Sequence, residues 1–442
     1  MNKRFRIAIE DLFTGKHIWQ NYKFLEQSQW WDQERMAAYR REKLTRILEH
    51  CYRNVPAYSE LMRNAGVGAE DIGSDGILQA LPVIDKQYIL DHYNDFLPLN
   101  YRSIKGVQHS KTSGTTGQVL NYTNDAGSRS MVWASFMRFK DWMGYDQNSL
   151  FIVFRGRNFV TESMFARMRL KVTDLIKNYK TFDAYNLRES DIDRLVDVLN
   201  KNENVVLRGY VLNLVDIASA LKSRGLVFHL KAVNTTAEPL LDFHRGLLSQ
   251  VFSCDVFDQY GFGEIGGVAY ECNHHSGLHV TEEHVIIETV NGGEMVITDL
   301  DNYSFPFIRY RTGDKAQMKN ELCSCGRNSQ LIKSIDGRTS DNIMGLNGNS
   351  LHWGYFHHLL IYTGIATKRN MIKFQVLQPE PSKLVLNLVS DPVDSEEKKR
   401  LTDLIIQKLG PMEVTVNNVN DIPKDVSGKF RAVISGSGTR LI

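Results

Sequence analysis

Cysteine, net charge and long apolar runs are all scarce in this chain. Five cysteines scattered over 442 residues cannot form a disulfide framework, so a reducing, cytoplasmic setting is expected. A net charge of +2 supplies no basic field, which argues against nucleic acid as a partner. Nowhere do about 18 apolar residues run together, so no transmembrane segment is expected. Glu10 and Asp11 interrupt the apolar residues near the start, and no secretory signal pattern is expected there. The basic and apolar residues between Lys3 and Phe13 suit a helix packed on its own domain, and also one lying on a membrane surface. Repeats and low-complexity tracts are absent as well.

What remains is ample for a large core and more than one domain: 42% of the residues are hydrophobic and 24% charged, a soluble globular balance. Apolar residues at three- and four-residue spacing (Leu44, Ile47, Leu48, Cys51) predict helix within residues 20–65, broken at Asn54-Val55-Pro56. From about 105 to 335, short apolar runs alternate with amphipathic stretches. Strands are predicted at Leu150–Phe154, Val205–Tyr210 and Leu230–Thr235, with helices at Asp191–Leu199 and Leu214–Leu221 between them. Val280–Val290 and Glu294–Asp299 read as antiparallel strands. The fold class is therefore α/β: a large N-terminal domain of layered sheets and helices with a β-rich subdomain, residues 1–337. A small α+β C-terminal domain, residues 338–442, follows, with strands near 371–377, 383–389 and 412–417 and a helix near 395–409.

The densest chemistry lies in Lys111-Thr112-Ser113-Gly114-Thr115-Thr116-Gly117-Gln118. Glycines let a backbone turn tightly and approach a ligand, and hydroxyls donate and accept. Such a loop can wrap phosphate oxygens, although a polar surface turn has the same composition. It is not the G-x-x-x-x-G-K-[ST] loop, because Lys and Ser/Thr do not follow the second glycine. Further on come Tyr260-Gly261 with Glu264, an aromatic ring and a carboxylate that could stack on a base and hold Mg²⁺. Then Ile308–Asp314 places Asp314 after a Gly turn, suited to accepting from sugar hydroxyls. Gly337-Arg338 follows, and Lys429 stands beyond Gly428 near the end. Taken singly, each also fits a strand end, a turn or a solvated charge.

Together, in this order, the segments resemble the adenylate-forming enzymes: acyl-CoA synthetases, adenylation domains and luciferases. The similarity is closer to the phenylacetate–CoA ligase branch and its capsule-biosynthesis relatives. Asn54-Val55-Pro56-Ala57-Tyr58, Leu81-Pro82 with Lys86, and Pro306–Asp314 carry that likeness. The resemblance implies that Ser113, Gly114, Thr115, Thr116 and Gly117 grip the β- and γ-phosphates of ATP. It implies that Glu238 and Pro239 lie beside the nucleotide, Tyr260 stacks on adenine, and Gly261 belongs to the same binding motif. Glu264 would hold Mg²⁺, Asp314 and Arg338 the ribose, and Lys429 the α-phosphate and the substrate carboxylate. The implied partners are ATP, a small-molecule carboxylate and coenzyme A; an amine or hydroxyl acceptor, as on a surface polysaccharide, is the alternative. The small domain would be mobile, and a homodimer is compatible with the likeness. Gln118, Gly263 and Ser340 depart from the usual pattern and keep a degenerate nucleotide-binding module in view.

Cys272, His279, Cys323 and Cys325 could close a tetrahedral structural zinc site, pinning a 272–325 insertion. His275 is the alternative to His279, which is preferred because Gly277-Leu278 precedes it at the start of an apparent strand. Trp133, Phe136, Phe139, Trp142 and Phe154 could line an acyl cavity, and fit a plain aromatic core equally well.

Overall fold

The computed structural model describes residue 11 and residues 17–112, 119–146, 148–155, 174, 178–183, 188–338, 342–423 and 430–435. Three helices open it, Ile18–Ser28, Gln33–Asn54 and Pro56–Asn64. The second is capped by Asp32, whose carboxylate accepts from Arg35 N, and Pro56 starts the third, where a missing N–H costs nothing. The break anticipated at Asn54-Val55-Pro56 is this helix junction.

Two central sheets follow. One is parallel and five-stranded, in the order Tyr179–Asp183, Leu150–Arg155, Val205–Tyr210, Ala232–Thr236, Val256–Phe257. Helices Glu189–Asn200, Val211–Ser223 and Asp242–Phe252 connect or follow its strands, as the alternation of apolar runs requires. The helices pack Ile192, Leu195, Leu214, Ile217 and Leu248 onto Ile152, Leu207 and Val233. The other sheet is antiparallel and seven-stranded, in the order 285–290, 294–299, 310–319, 331–338, 278–280, 266–271, 259–262. It packs on the N-terminal helices through Ile47, Leu48, Tyr58, Ile297, Phe307 and Ile332. A short antiparallel hairpin, Gln108–Lys111 with Asn121–Asn124, carries the connection that contains residues 113–118.

The C-terminal unit is a four-stranded sheet in the order 413–418, 383–389, 373–380, 433–435, covered by helix Ser395–Leu409. Asp394 caps that helix through Glu396 N and Glu397 N, while Glu397 reaches back to Asp394 N. No helix among the described residues is long and apolar enough to cross a membrane.

Two local expectations change. Asp314 does not follow a free turn. It lies inside the long strand Tyr310–Lys319, where Gly313 at φ +81° and a register shift at Lys315/Ala316 bend the ladder. The segment 272–325 is not an insertion either; it forms the body of the antiparallel sheet, four of whose strands lie wholly within it.

Candidate active site and metal cluster

Tyr260 sits on the short strand Gln259–Phe262 at the edge of the antiparallel sheet. Its phenol donates to Asp314 Oδ2 at 2.6 Å. Asp314 is the register partner of Arg338 on the neighbouring strand, so these two residues share one rung of the ladder. Thr312 Oγ1 accepts from Asp314 N at 3.1 Å and fixes the bend. Three residues distant in sequence thus occupy one end of one sheet.

Glu264 lies in the turn after Tyr260, half-buried, with Tyr310 Oη 3.5 Å from its Oε1. Gly263 beside it faces Tyr122: a Cβ at position 263 would stand 2.8 Å from the Tyr122 hydroxyl. Burial, reinforced by Glu264, pushes the Tyr122 phenol up, so it stays a protonated hydroxyl next to that carboxylate. Glycine at 263 therefore makes room for a hydroxyl delivered from the hairpin strand. Tyr122 carries no motif of its own, and only the fold brings it here.

The segment around Leu81-Pro82 is bonded to the Pro306–Asp314 segment. Ile84 N donates to Arg309 O at 3.1 Å and Arg311 N to Ile84 O at 2.7 Å. Arg309, at φ +48°, forks onto both oxygens of Glu288 and also reaches the carbonyls of Gln79 and Leu81. Two motifs separated by more than 200 residues are thus held as one unit. Lys86 then opens a short helix capped by Asp85 and donates to Thr112 Oγ1 at 3.2 Å, at the foot of the hydroxyl/glycine connection. Thr112 N donates to Leu120 O at 2.9 Å and Leu120 N to Thr112 Oγ1 at 3.0 Å, which closes the hairpin beneath that connection. Ser113, Gly114, Thr115, Thr116 and Gly117 themselves lie outside the described residues, as do Gln118, Ser340, Asp341 and Lys429.

Glu238 is buried, and its two carboxylate oxygens accept from Leu212 N at 2.9 Å and Phe430 N at 3.0 Å. Asp258, two residues before Tyr260, is pushed up to about 7 by burial, with Glu271 adding to the effect and Thr235 opposing it. Of the aromatic residues read as pocket candidates, Phe136, Phe139 and Phe154 are core side chains, and Trp133 is exposed. Trp142 packs on His279 and Arg327, beside the cysteines at 272, 323 and 325.

One ligand atom from each of Cys272, His279, Cys323 and Cys325 lies within 4.8 Å of all the others. Cys272 Sγ is 3.7 Å from Cys323 Sγ, and Cys325 Sγ is 3.4 Å from His279 Nε2. His279 Nδ1 meets Ser329 Oγ at 2.8 Å, which orients the ring, and burial pushes the imidazole down to about 3, leaving it neutral and able to ligate. His275 turns away to Glu271 and Arg245. Three thiols and a neutral imidazole, converging where the end of strand 266–271, strand 278–280 and the turn at 323–325 meet, suit a four-coordinate zinc.

A family model described as the CapK C-terminal domain matches residues 344–436. A phenylacetate-coenzyme A ligase of Thermus thermophilus is 23% identical, over 91% of this chain and 96% of that protein. Protein CapK of Staphylococcus aureus is 24% identical, over 89% of this chain and 88% of that one. The chain is thus similar over most of its length to phenylacetate-coenzyme A ligases and to protein CapK. The solved 2-hydroxyisobutyryl-CoA ligase, in its postadenylation state with 2-HIB-AMP, shares its fold: TM-score 0.71, 17% identity, 93% of both chains covered. Against the same ligase in its thioesterification state the TM-score is 0.58, at 18% identity and with 91% and 90% covered. Tyr122, Lys86 and Arg309 are the residues that sequence reading left without a role. Lys86 and Arg309 stood inside quoted motifs, whereas Tyr122 gave no signal.

Proposed function

We propose that the protein is an ATP-dependent, AMP-forming ligase that activates a small carboxylic acid as its acyl-adenylate and transfers the acyl group to coenzyme A. The observation that carries this reading is the convergence of Tyr260, Asp314 and the Arg338 position at one end of the antiparallel sheet, with Glu264 one turn away.

A carboxylate is a poor electrophile, and joining it to AMP makes a reactive mixed anhydride. Carboxylate and α-phosphate are both anionic, so their approach needs positive charge and aligned donors. Asp314 accepts from the ribose hydroxyls, beside the backbone position of Arg338. Tyr260 presents its ring to adenine while its hydroxyl orients Asp314. The hydroxyls and amides of residues 113–117 bind the β- and γ-phosphates, with Lys86 below them. Lys429 comes to the α-phosphate and the substrate carboxylate from the C-terminal unit, which turns about the segment near 338–342 between the two half-reactions. Glu264 would hold Mg²⁺, which would supply charge neutralisation on the phosphates. The Cys272, His279, Cys323 and Cys325 site has no open position, so zinc there serves structure.

ATP–pyrophosphate exchange, screened over aryl, fatty and amino acids, tests this reading. Exchange with at least one class, followed by AMP release on adding coenzyme A, supports it. Exchange without AMP release points to an amine or hydroxyl acceptor, and no exchange with any acid overturns the reading.

A further inference from the structure

The contact between Glu238 and Phe430 joins the two units of the molecule at a sensitive place. Glu238 follows strand Ala232–Thr236 of the parallel sheet, after Ala237, whose φ of +67° turns the chain. Glu238 Oε2 accepts from Leu212 N, the second residue of helix Val211–Ser223. That helix has no side-chain cap from its own N-cap residue, Tyr210, so the Glu238 carboxylate serves one of its first-turn donors from outside. The other oxygen accepts from Phe430 N, in the C-terminal unit. Phe430 follows Lys429 directly in the sequence.

Other contacts support the same docked arrangement. The Phe430 ring packs with Ile372 on Val211, Leu212 and Val215. Lys373 Nζ lies 2.7 Å from Asp216 on that helix and 2.8 Å from Asp421 on its own side, and its side chain is 4% exposed. His244 Nε2 lies 3.0 Å from Ile372 O. Burial pushes the His244 imidazole down to about 3, so it is neutral and donates through Nε2–H. The docking surface thus combines an apolar patch, a buried lysine paired with the partly exposed Asp216, and one carboxylate that accepts from two backbone amides.

We propose that Glu238 is a positioning residue for the adenylating half-reaction: it docks the chain at Phe430 on the N-terminus of helix Val211–Ser223, which fixes where the preceding lysine can act. This inference rests on the adenylating function proposed above. Two N–H donors converge on Glu238, so two acceptor oxygens are needed. A glutamine offers one oxygen and one NH₂ group, and the NH₂ would face a donor. The carboxylate is therefore required, not merely a polar side chain of that length.

The experiment separates the two half-reactions in the full-length enzyme. Adenylation is followed by pyrophosphate exchange, and thioester formation by AMP release from a supplied acyl-adenylate with coenzyme A. Glu238→Gln is expected to lower kcat for exchange by roughly 10- to 100-fold, the range for losing a hydrogen bond to a charged group. The thioester step should run at least at the wild-type rate, because lost docking at Phe430 does not touch it. Asp216→Asn, at the far side of the interface, is expected to give a smaller loss of the same kind. An equal fall in both half-reactions for these variants, or unchanged exchange in Glu238→Gln, would overturn the inference. Hydrogen–deuterium exchange gives a readout that needs no activity. Amides at 430–435 should lose protection in Glu238→Gln while those of helix Ser395–Leu409 keep it; unchanged protection at 430–435 would also overturn it. A wild-type enzyme that exchanges with no carboxylate removes the adenylating reading, and the amide protection then decides the docking role of Glu238 by itself.

Discussion

Tyr260 Oη and Asp314 Oδ2, 54 residues apart in sequence, stand 2.6 Å apart at one end of the antiparallel sheet. The bond leaves the Tyr260 ring as a flat surface and turns the carboxylate to one side, so one contact orients groups suited to a base and to a sugar. Asp314→Ala is expected to raise the KM for ATP by roughly 10- to 100-fold, since hydrogen bonds to a charged acceptor are lost. Tyr260→Phe keeps the ring and removes only the orienting hydroxyl, so a rise of about tenfold or less is expected. Exchange kinetics at varied ATP measure both. Unaltered KM values in both variants would remove Asp314 from the nucleotide site.

The proposed function makes Lys429 the residue on which the bond-making step depends. Lys429→Ala is expected to lower exchange by about 10²–10³-fold, the usual effect of removing one preorganised charge-stabilising group. Binding of ATP, measured by calorimetry, should stay near the wild-type value, because Asp314, Tyr260 and the 113–117 segment are untouched. Wild-type exchange in this variant would end the assignment of the lysine.

Much of this arrangement was legible in the sequence because its markers are local. Alternating apolar runs gave the parallel sheet and its helices, and the Gly-containing motifs named Tyr260 and Asp314, which the fold brings together. The Cys/His cluster was legible because Cys-x-Cys makes a tight turn that sends two thiols one way, and because Gly277-Leu278 precedes His279 at the start of its strand. What stayed hidden depends on tertiary approach. Tyr122 reaches Gly263 only because the 108–124 hairpin lies against the turn that carries Glu264. Arg309 serves Glu288 and the 79–81 carbonyls only because Ile84 joins strand 310–319 as an extra bridge. Asp314 read as a turn residue because a glycine precedes it, but in a bent strand the same glycine produces a bulge.

Metal analysis of the purified protein is expected to find about one zinc per chain, lost in Cys323→Ser with a fall in stability, since binding and folding are linked at such sites. His275→Ala should keep the metal, because that ring is engaged by Glu271 and Arg245 instead. A fully folded, metal-free preparation, or zinc lost through His275→Ala while His279→Ala retains it, would refute the assignment.

Alkaline sensitivity should trace to His284. Its ring is completely buried, with Nδ1 2.8 Å from Asp301 and 3.6 Å from Asp299, and Nε2 3.0 Å from Ile265 O. Burial alone would push its pKa down; Asp299 and Asp301 more than offset this and raise it to about 8. The folded state therefore holds this proton more tightly than the unfolded chain, whose histidines titrate near about 6.5. The stabilisation is complete below about 6.5, worth about 2 kcal/mol for this displacement, and is lost as pH rises through about 8. The buried His244 has the opposite displacement, down to about 3, so its effect on stability lies below about 6.5; Asp258, raised to about 7, also releases its proton within this interval, a loss shared by the wild type and a His284 variant. Urea unfolding at pH 6.5 and 8.5 should show the wild type losing stability across this interval and His284→Gln losing much less. Equal slopes in the two proteins would show that His284 is not the titrating group.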